Sequence, residues 1–177
     1  MAVKGSRNKP KRKLTTIEME LAIAKYFGYR QHIIVPNVSW GFTSHECDLL
    51  LIRKSGYCFE IEIKRSKSDM LADFKKRHGH IDRKNRIVQL YYAFPKELLP
   101  KLEELVPKEC GILTVERYLG WNDKPSTHVS MVRDAKRKKG ARRLTEKEQL
   151  QIARLGTLRI WTLKQKIISL LYGKTKI

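Results

Sequence analysis

The sequence predicts an α/β protein with a central sheet and a long C-terminal helix. Three observations predict it. Helical spacing and short apolar runs follow one another in the order αβββαβαβ from about residue 15 to 115. The runs are rich in β-branched and aromatic residues and are bounded by Gly, Pro, Ser and Asn. The stretch Glu146 to Tyr172 has the cap and spacing of one continuous helix. A chain of 177 residues with 41% hydrophobic content suits one globular domain with extensions. The expected division is a basic tail over 1–13, a core over 14–116 and an extension over 117–177.

Thr15 or Thr16 caps a first helix from about Ile17 to Phe27, closed by Gly28. Ile17, Met19, Leu21, Ile23, Ala24, Tyr26 and Phe27 read as one broad apolar face, with Glu20 near its middle. A carboxylate placed there needs a partner. Gln31 to Val38 reads as a first strand, which Pro36 confines to an edge or a bend. Asp48 to Ile52 and Tyr57 to Lys64 are the next two, joined by the turn-forming Arg53-Lys-Ser-Gly56. Ser66 or Ser68 caps a helix from Asp69 to about Arg77, with Met70, Leu71 and Phe74 toward the sheet. Arg86 to Phe94 is a buried strand, and Pro95 opens a helix to about Leu105. Cys110 to Val115 is a short parallel-type strand. Beyond it come a Pro-containing loop over 121–127, an edge strand over 128–132 and a basic link over 136–143. Thr145 caps the final helix; Gly156 is a kink position, and Leu150, Ala153, Leu158, Trp161 and Ile168 are its docking residues.

The stretch Tyr57 to Lys64 carries the chemistry. Alternation puts Phe59, Ile61 and Ile63 on one face and Glu60, Glu62 and Lys64 on the other. The hairpin brings Asp48 toward the same end as Glu62, and two converging carboxylates make an oxygen site for a hard cation such as Mg²⁺. The plainer reading of Glu60, Glu62 and Lys64 is a solvated stripe with weak cross-strand ion pairs.

The net charge is +20, of which segments 1–13 and 133–147 supply +6 each, so the remainder is basic too. Such an excess points to a polyanion, foremost nucleic acid. No apolar run is long enough to span a bilayer, and no basic amphipathic helix with a clean apolar face stands outside the fold, so a membrane partner is not expected. Cys47, Cys58 and Cys110 are odd in number and lack zinc-ligand spacing, and read as reduced thiols of a cytoplasmic protein.

Asp48, 13 intervening residues and then Glu62-Ile63-Lys64 resemble the motif of the PD-(D/E)xK nuclease superfamily. Cys47 stands where the family name has Pro. Ser66, Asp69, Asp73 and Lys75, then Tyr91-Tyr-Ala-Phe-Pro95 and Cys110-Gly-Ile-Leu-Thr114, resemble the MmcB-type group of DNA-repair or phage-associated nucleases, over roughly residues 15–116. The resemblance implies a restriction-endonuclease-like αβββαβ core with a mixed sheet flanked by helices. It implies a metal-dependent DNA nuclease acting in repair, recombination or restriction. Asp48, Glu62 and the Ile63 carbonyl would hold Mg²⁺ or Mn²⁺, Lys64 would stabilise charge, and Glu20 would complete a second-metal or water site, with Glu18 the fallback. Lys67, Lys75, Lys76 and Arg83, on a basic rim beside the site, are the phosphate contacts expected on DNA or RNA. The rival readings are a nucleic-acid-binding protein without turnover and a subunit of a larger complex. A homodimer is left open.

Overall fold

The computed structural model describes residues 12–38, 46–74, 85–121 and 124–173. The tail up to residue 11 and the rim residues Lys75, Lys76 and Arg83 lie outside them. The chain forms a six-stranded mixed sheet whose strands lie side by side in sequence order. β1 (Ile33–Val38), β2 (Cys47–Ile52) and β3 (Cys58–Ile63) form an antiparallel meander. β4 (Ile87–Pro95) and β5 (Gly111–Leu119) continue parallel to β3, and β6 (Pro125–Arg133) closes the far edge antiparallel to β5. Pro36 and Pro125 both fall on edge strands, where a missing N–H costs no ladder bond.

One face of the sheet packs on α1 (Thr16–Tyr26), with Phe59, Ile61 and Ile63 against Met19, Ala22 and Ile23. The reverse face carries two apolar clusters. The first joins β1, β2 and Cys58 to Ile152 of α4 (Glu146–Tyr172). The second gathers Tyr92, Phe94 and Ile112 under Met70 of α2 (Lys67–Phe74) and Leu102 of α3 (Leu99–Leu102).

Several expectations need correction. The broad face assigned to α1 is a narrower stripe of Met19, Ala22 and Ile23, while Ile17 and Leu21 are exposed. Each of those two stands two positions from Met19, on the far side of the helix. Glu20 is therefore at the margin of the buried stripe rather than its middle. The helix expected from Pro95 to Leu105 is broken into two 3₁₀ turns around the four-residue α3. Pro100 sits inside it and cannot donate to the preceding turn, and Pro95 is the last residue of β4. β5 and β6 run longer than their apolar cores. Their outer ends form a ribbon past the core, turned at Gly120, whose N–H donates to the Lys124 carbonyl at 2.9 Å.

α4 starts at the Thr145 capping box as the sequence indicates. Its docking residues differ: Ile152 is fully buried and Leu155 packs beside it, whereas Leu150, Leu158, Trp161 and Ile168 are half or more exposed. Gly156 allows the close approach to β1. A Cβ there would lie 3.2 Å from Val35 Cγ2. Among the described residues the helix packs on the body along its first half, and the apolar positions of its second half are exposed.

Candidate active site

Cys58, Glu60, Glu62 and Lys64 project from β3 onto the reverse face, between its two apolar clusters. Glu60, Glu62 and Lys64 are only 1%, 2% and 3% exposed, which removes the solvated-stripe reading. Charges taken out of water persist only when paired. Lys64 Nζ lies 2.9 Å from Glu62 Oε2 and 3.0 Å from Asp73 Oδ1, and its backbone N–H donates to the Ala93 carbonyl. Tyr92 OH donates to the other Asp73 oxygen at 3.5 Å. Burial works against the Lys64 ammonium, but Glu62 and Asp73 outweigh it and leave its pKa above the ordinary lysine value. Lys64 is a held cation. Burial, reinforced by the Asp73 charge, also drives the Tyr92 hydroxyl upward, so it stays a donor.

Asp48 enters from β2. The β2–β3 ladder runs to Leu49↔Ile61, and beyond it the Ile63 N–H donates to Asp48 Oδ2 at 2.7 Å. The carboxylate thus takes a ladder donor at the strand end and is fixed beside Glu62-Ile63-Lys64. Glu20 of α1, half-buried, has its carboxyl pKa raised, first by burial and then by the Asp48 charge, with a hydrogen bond from Asn37 acting the other way. Asn37 takes a left-handed φ of 52° in β1, a conformation asparagine tolerates.

Among the described residues, the potential ligands that meet within 4.8 Å are Cys47, Glu60 and Glu62. Asp48 and Glu20 are not in that group. The Cys47 thiol donates to the Leu49 carbonyl at 3.0 Å, and burial, then Glu60 and Glu62, hold its pKa well above the ordinary thiol value. Both causes favour the neutral thiol over the thiolate, so Cys47 stands beside the two carboxylates as a hydrogen-bond donor.

The structure brings Glu62 and Lys64 into direct contact, sets Asp48 on the Ile63 backbone, and puts Glu20 where the Asp48 charge acts on it. Glu18 is structural: it closes the Thr15 capping box and pairs with Arg117 at 2.7 Å, with its pKa lowered to about 2, chiefly by the Thr15 backbone N–H. Ser66 is the cap of α2, its Oγ accepting from the Asp69 N–H. Lys67 is exposed at the start of that helix. α2 turns Met70 and Asp73 to the sheet; Leu71, expected there, is exposed, and Phe74 is partly exposed with its ring 6.4 Å from that of Tyr92 on β4. In the sequence Asp73 stands only among the residues of the family resemblance, with no site role; its three-residue spacing from Met70 is the signal that places both on one face.

A second feature lies at the other end of the parallel strands. Residues 136–144 form a strap across the starts of β3, β4 and β5. Backbone N–H groups of Lys136, Lys138, Arg142 and Leu144 donate to the carbonyls of Glu109, Val88, Asn85 and Gly56 at 2.8–2.9 Å. The Arg137 and Arg143 guanidinium groups lie over the Tyr57 ring, 4.8 and 5.4 Å from its centre. The strap presents Lys136, Arg137, Lys138, Lys139 and Arg143 to solvent with no acidic residue between them. The expected basic link is thus an ordered basic edge.

No protein-family model matches the chain, and no curated protein sequence matches it. Among solved structures it is similar to SPO1766, a protein of unknown function from Silicibacter pomeroyi. The two share 16% identity and a TM-score of 0.58 over 93% of this chain and 98% of that one. At that identity the likeness concerns the fold alone.

Proposed function

We propose that this chain is a metal-dependent nuclease of the PD-(D/E)xK type on a restriction-endonuclease-like core, hydrolysing phosphodiester bonds of DNA. The observation that carries the reading is the Ile63 N–H to Asp48 contact, which fixes the first acid of the motif beside Glu62 and Lys64. The donor chemistry fits a hard cation. Asp48, Glu62 and the Ile63 carbonyl are oxygen ligands, and the mutual repulsion of Glu20 and Asp48 is what a bound cation would relieve. Mg²⁺ or Mn²⁺ held there would polarise the phosphate and lower the pKa of a bound water.

Lys64, fixed between Glu62 and Asp73, keeps its proton and offers N–H donors and positive charge to the phosphate oxygens. Proton abstraction is the wrong task for it, because both neighbours favour the ammonium. Glu62 and Lys64 are buried while Asp48 is part-exposed and Glu20 half-buried, so a phosphate approaches from the Asp48 side. Lys67 beside the site and the basic strap at the opposite strand ends would hold the flanking backbone. Tyr57 and Glu62 are five strand residues apart, so strap and acids are separated by about 17 Å, the length of some five base pairs.

The test is cleavage of supercoiled plasmid, single-stranded DNA and a branched junction with Mg²⁺, Mn²⁺ or EDTA, wild type beside Glu62→Ala. Metal-dependent cutting that the variant loses is the expected result. Salt-sensitive binding with no cutting of any substrate would point instead to a binding module.

A further inference from the structure

We propose that the tip of the β5–β6 ribbon, Tyr118, Leu119 and Trp121, stacks on unpaired bases and directs the nuclease to junctions between duplex and single-stranded DNA. The inference rests on the nuclease reading and names its substrate class. β3, β4 and β5 run parallel, with Ile63 level with Ala93 and Ala93 level with Leu113. Leu119 stands six strand residues beyond Leu113 and is still paired, with Pro125. The ribbon therefore projects from the acid end of the sheet, about 20 Å past Ile63 and about 10 Å to its side. The strap lies at the opposite strand ends, so strap, acids and tip follow one another along the strand direction.

The tip has the shape of a wedge. Tyr118 and Leu119 alternate onto the two faces of the ribbon, and Trp121 follows at its turn. They are 49%, 69% and 86% exposed. Apolar side chains on both faces of a protrusion suit insertion between planar groups, whereas a flat partner surface calls for one apolar face. The turn is fixed. The Gly120 N–H donates to the Lys124 carbonyl, the Lys124 N–H donates to the Trp121 carbonyl, and a Cβ at Gly120 would lie 2.8 Å from Ser126 Oγ. A pre-set tip loses little freedom on binding.

Charge selects the partner. Arg65, at the end of β3, donates to the Leu14 carbonyl at 3.1 Å, and Arg117, in the ribbon, donates to the Arg12 carbonyl and pairs with Glu18. Segment 12–14 thus bridges the end of β3 and the root of the ribbon. Arg12, Lys13 and Arg65 are exposed along this bridge, and Lys124 is exposed at the tip. Glu116 of β5 is paired with Lys96 at 2.8 Å. Exposed cations leading to exposed aromatic rings are what holds phosphates and stacks bases. The state of those bases follows from the energies. Prying open a paired step costs at least as much as stacking one base on an aromatic ring returns. The tip therefore takes bases that are already unpaired, while the duplex lies between strap and acids.

The test titrates the full chain, in EDTA so that nothing is cut, with a labelled blunt duplex and with the same duplex carrying a single-stranded tail. The tailed duplex should bind roughly 10-fold tighter. Trp121→Ala should remove most of that preference with an unchanged melting curve, since the side chain enters no core. Trp121→Phe should keep it, and Lys124→Ala should weaken both duplexes alike. Equal binding of the two duplexes by the wild type, or a preference that Trp121→Ala leaves intact, would overturn the proposal. So would a wild type that binds neither, or a dimer that Trp121→Ala returns to single mass, which would make the tip a self-contact. Added Mg²⁺ separates this inference from the nuclease reading. Metal-dependent cutting with no preference for the tail keeps the nuclease and removes the role of the tip. A Trp121-dependent preference with no cutting keeps the base contact and removes the nuclease.

Discussion

The ammonium of Lys64 and the carboxylate of Asp73 stand 3.0 Å apart, both nearly excluded from solvent, across the packing of α2 on the sheet. This pair ties the end of β3 to α2 through a residue nine positions further on. Asp73 is in turn held by Tyr92, which lies opposite Glu62 in the β3–β4 register. The position of the Lys64 charge is therefore set by three elements, β3, α2 and β4, rather than by the strand alone.

Asp73→Asn should lower kcat of the proposed cleavage by roughly 10- to 100-fold with little change in KM, because it loosens a positioned group without touching the substrate. The amide keeps the Tyr92 contact but leaves Lys64 with Glu62 alone, at a stability cost of about 1–3 kcal/mol. Single-turnover cleavage and chemical denaturation on the same protein separate the two effects. Equal loss of activity from Asp73→Asn and from a distant destabilising substitution would count against a positioning role.

Glu20 supplies a pH test. Its carboxyl pKa is raised in the fold, first by burial and then by Asp48. The folded state thus holds this proton more tightly than the unfolded chain. The resulting stability is present below the unfolded carboxyl pKa and is lost as pH rises through the raised folded value. In EDTA, Glu20→Gln should flatten that fall and be the more stable protein at neutral pH. Added Mg²⁺ should raise the melting temperature of the wild type more than that of the variant. Identical pH–stability curves for the two proteins would show that Glu20 carries no such strain.

The strand order was legible because each run declares itself locally, through alternation and flanking turn residues, and β1 to β4 follow those signals closely. What failed depended on the far side of the molecule. The buried stripe of α1 was misjudged because apolar residues also occupy positions that face away from the sheet, and composition does not say where the sheet lies. Pro100 was a readable breaker within 95–105 that the capping argument at Pro95 overrode. Asp73 was carried in the family resemblance without a role, since its partner Lys64 meets it only when α2 docks. The strap has no periodicity at all; its order comes from backbone bonds to three strand ends distant in sequence.

Gly111 at the start of β5 tests the packing of that edge. A Cβ there would fall 2.2 Å from Tyr91 Cδ1 and 2.9 Å from the Ala135 backbone nitrogen. The ring is tied down by its hydroxyl, which donates to Asp134, so it has little room to yield. Gly111→Ala should cost about 3 kcal/mol, the upper range for overpacking. It should also release the first strap residues, visible as faster amide exchange at Lys136 and Lys138. A change under 1 kcal/mol would mean that the Asp134–Ala135 turn moves freely.

The strap is separable from the acids by salt. Each phosphate neutralised on duplex DNA contributes about 0.9 to the slope of log K against log salt concentration. Replacing Lys136, Lys138 and Lys139 by Ala removes three exposed cations while keeping the backbone bonds that anchor the strap. The slope should fall by about 2 to 3, equally for unrelated sequences, because backbone contacts carry no base readout. Cleavage at low salt should survive, since Asp48, Glu62 and Lys64 sit at the other end of β3. Glu62→Ala should do the reverse, abolishing cleavage with the slope unchanged and binding equal or tighter, as a carboxylate near phosphate is lost. An unchanged slope in the triple variant, with the wild type still binding and cutting, would place the DNA elsewhere on the basic surface and leave the nuclease reading standing.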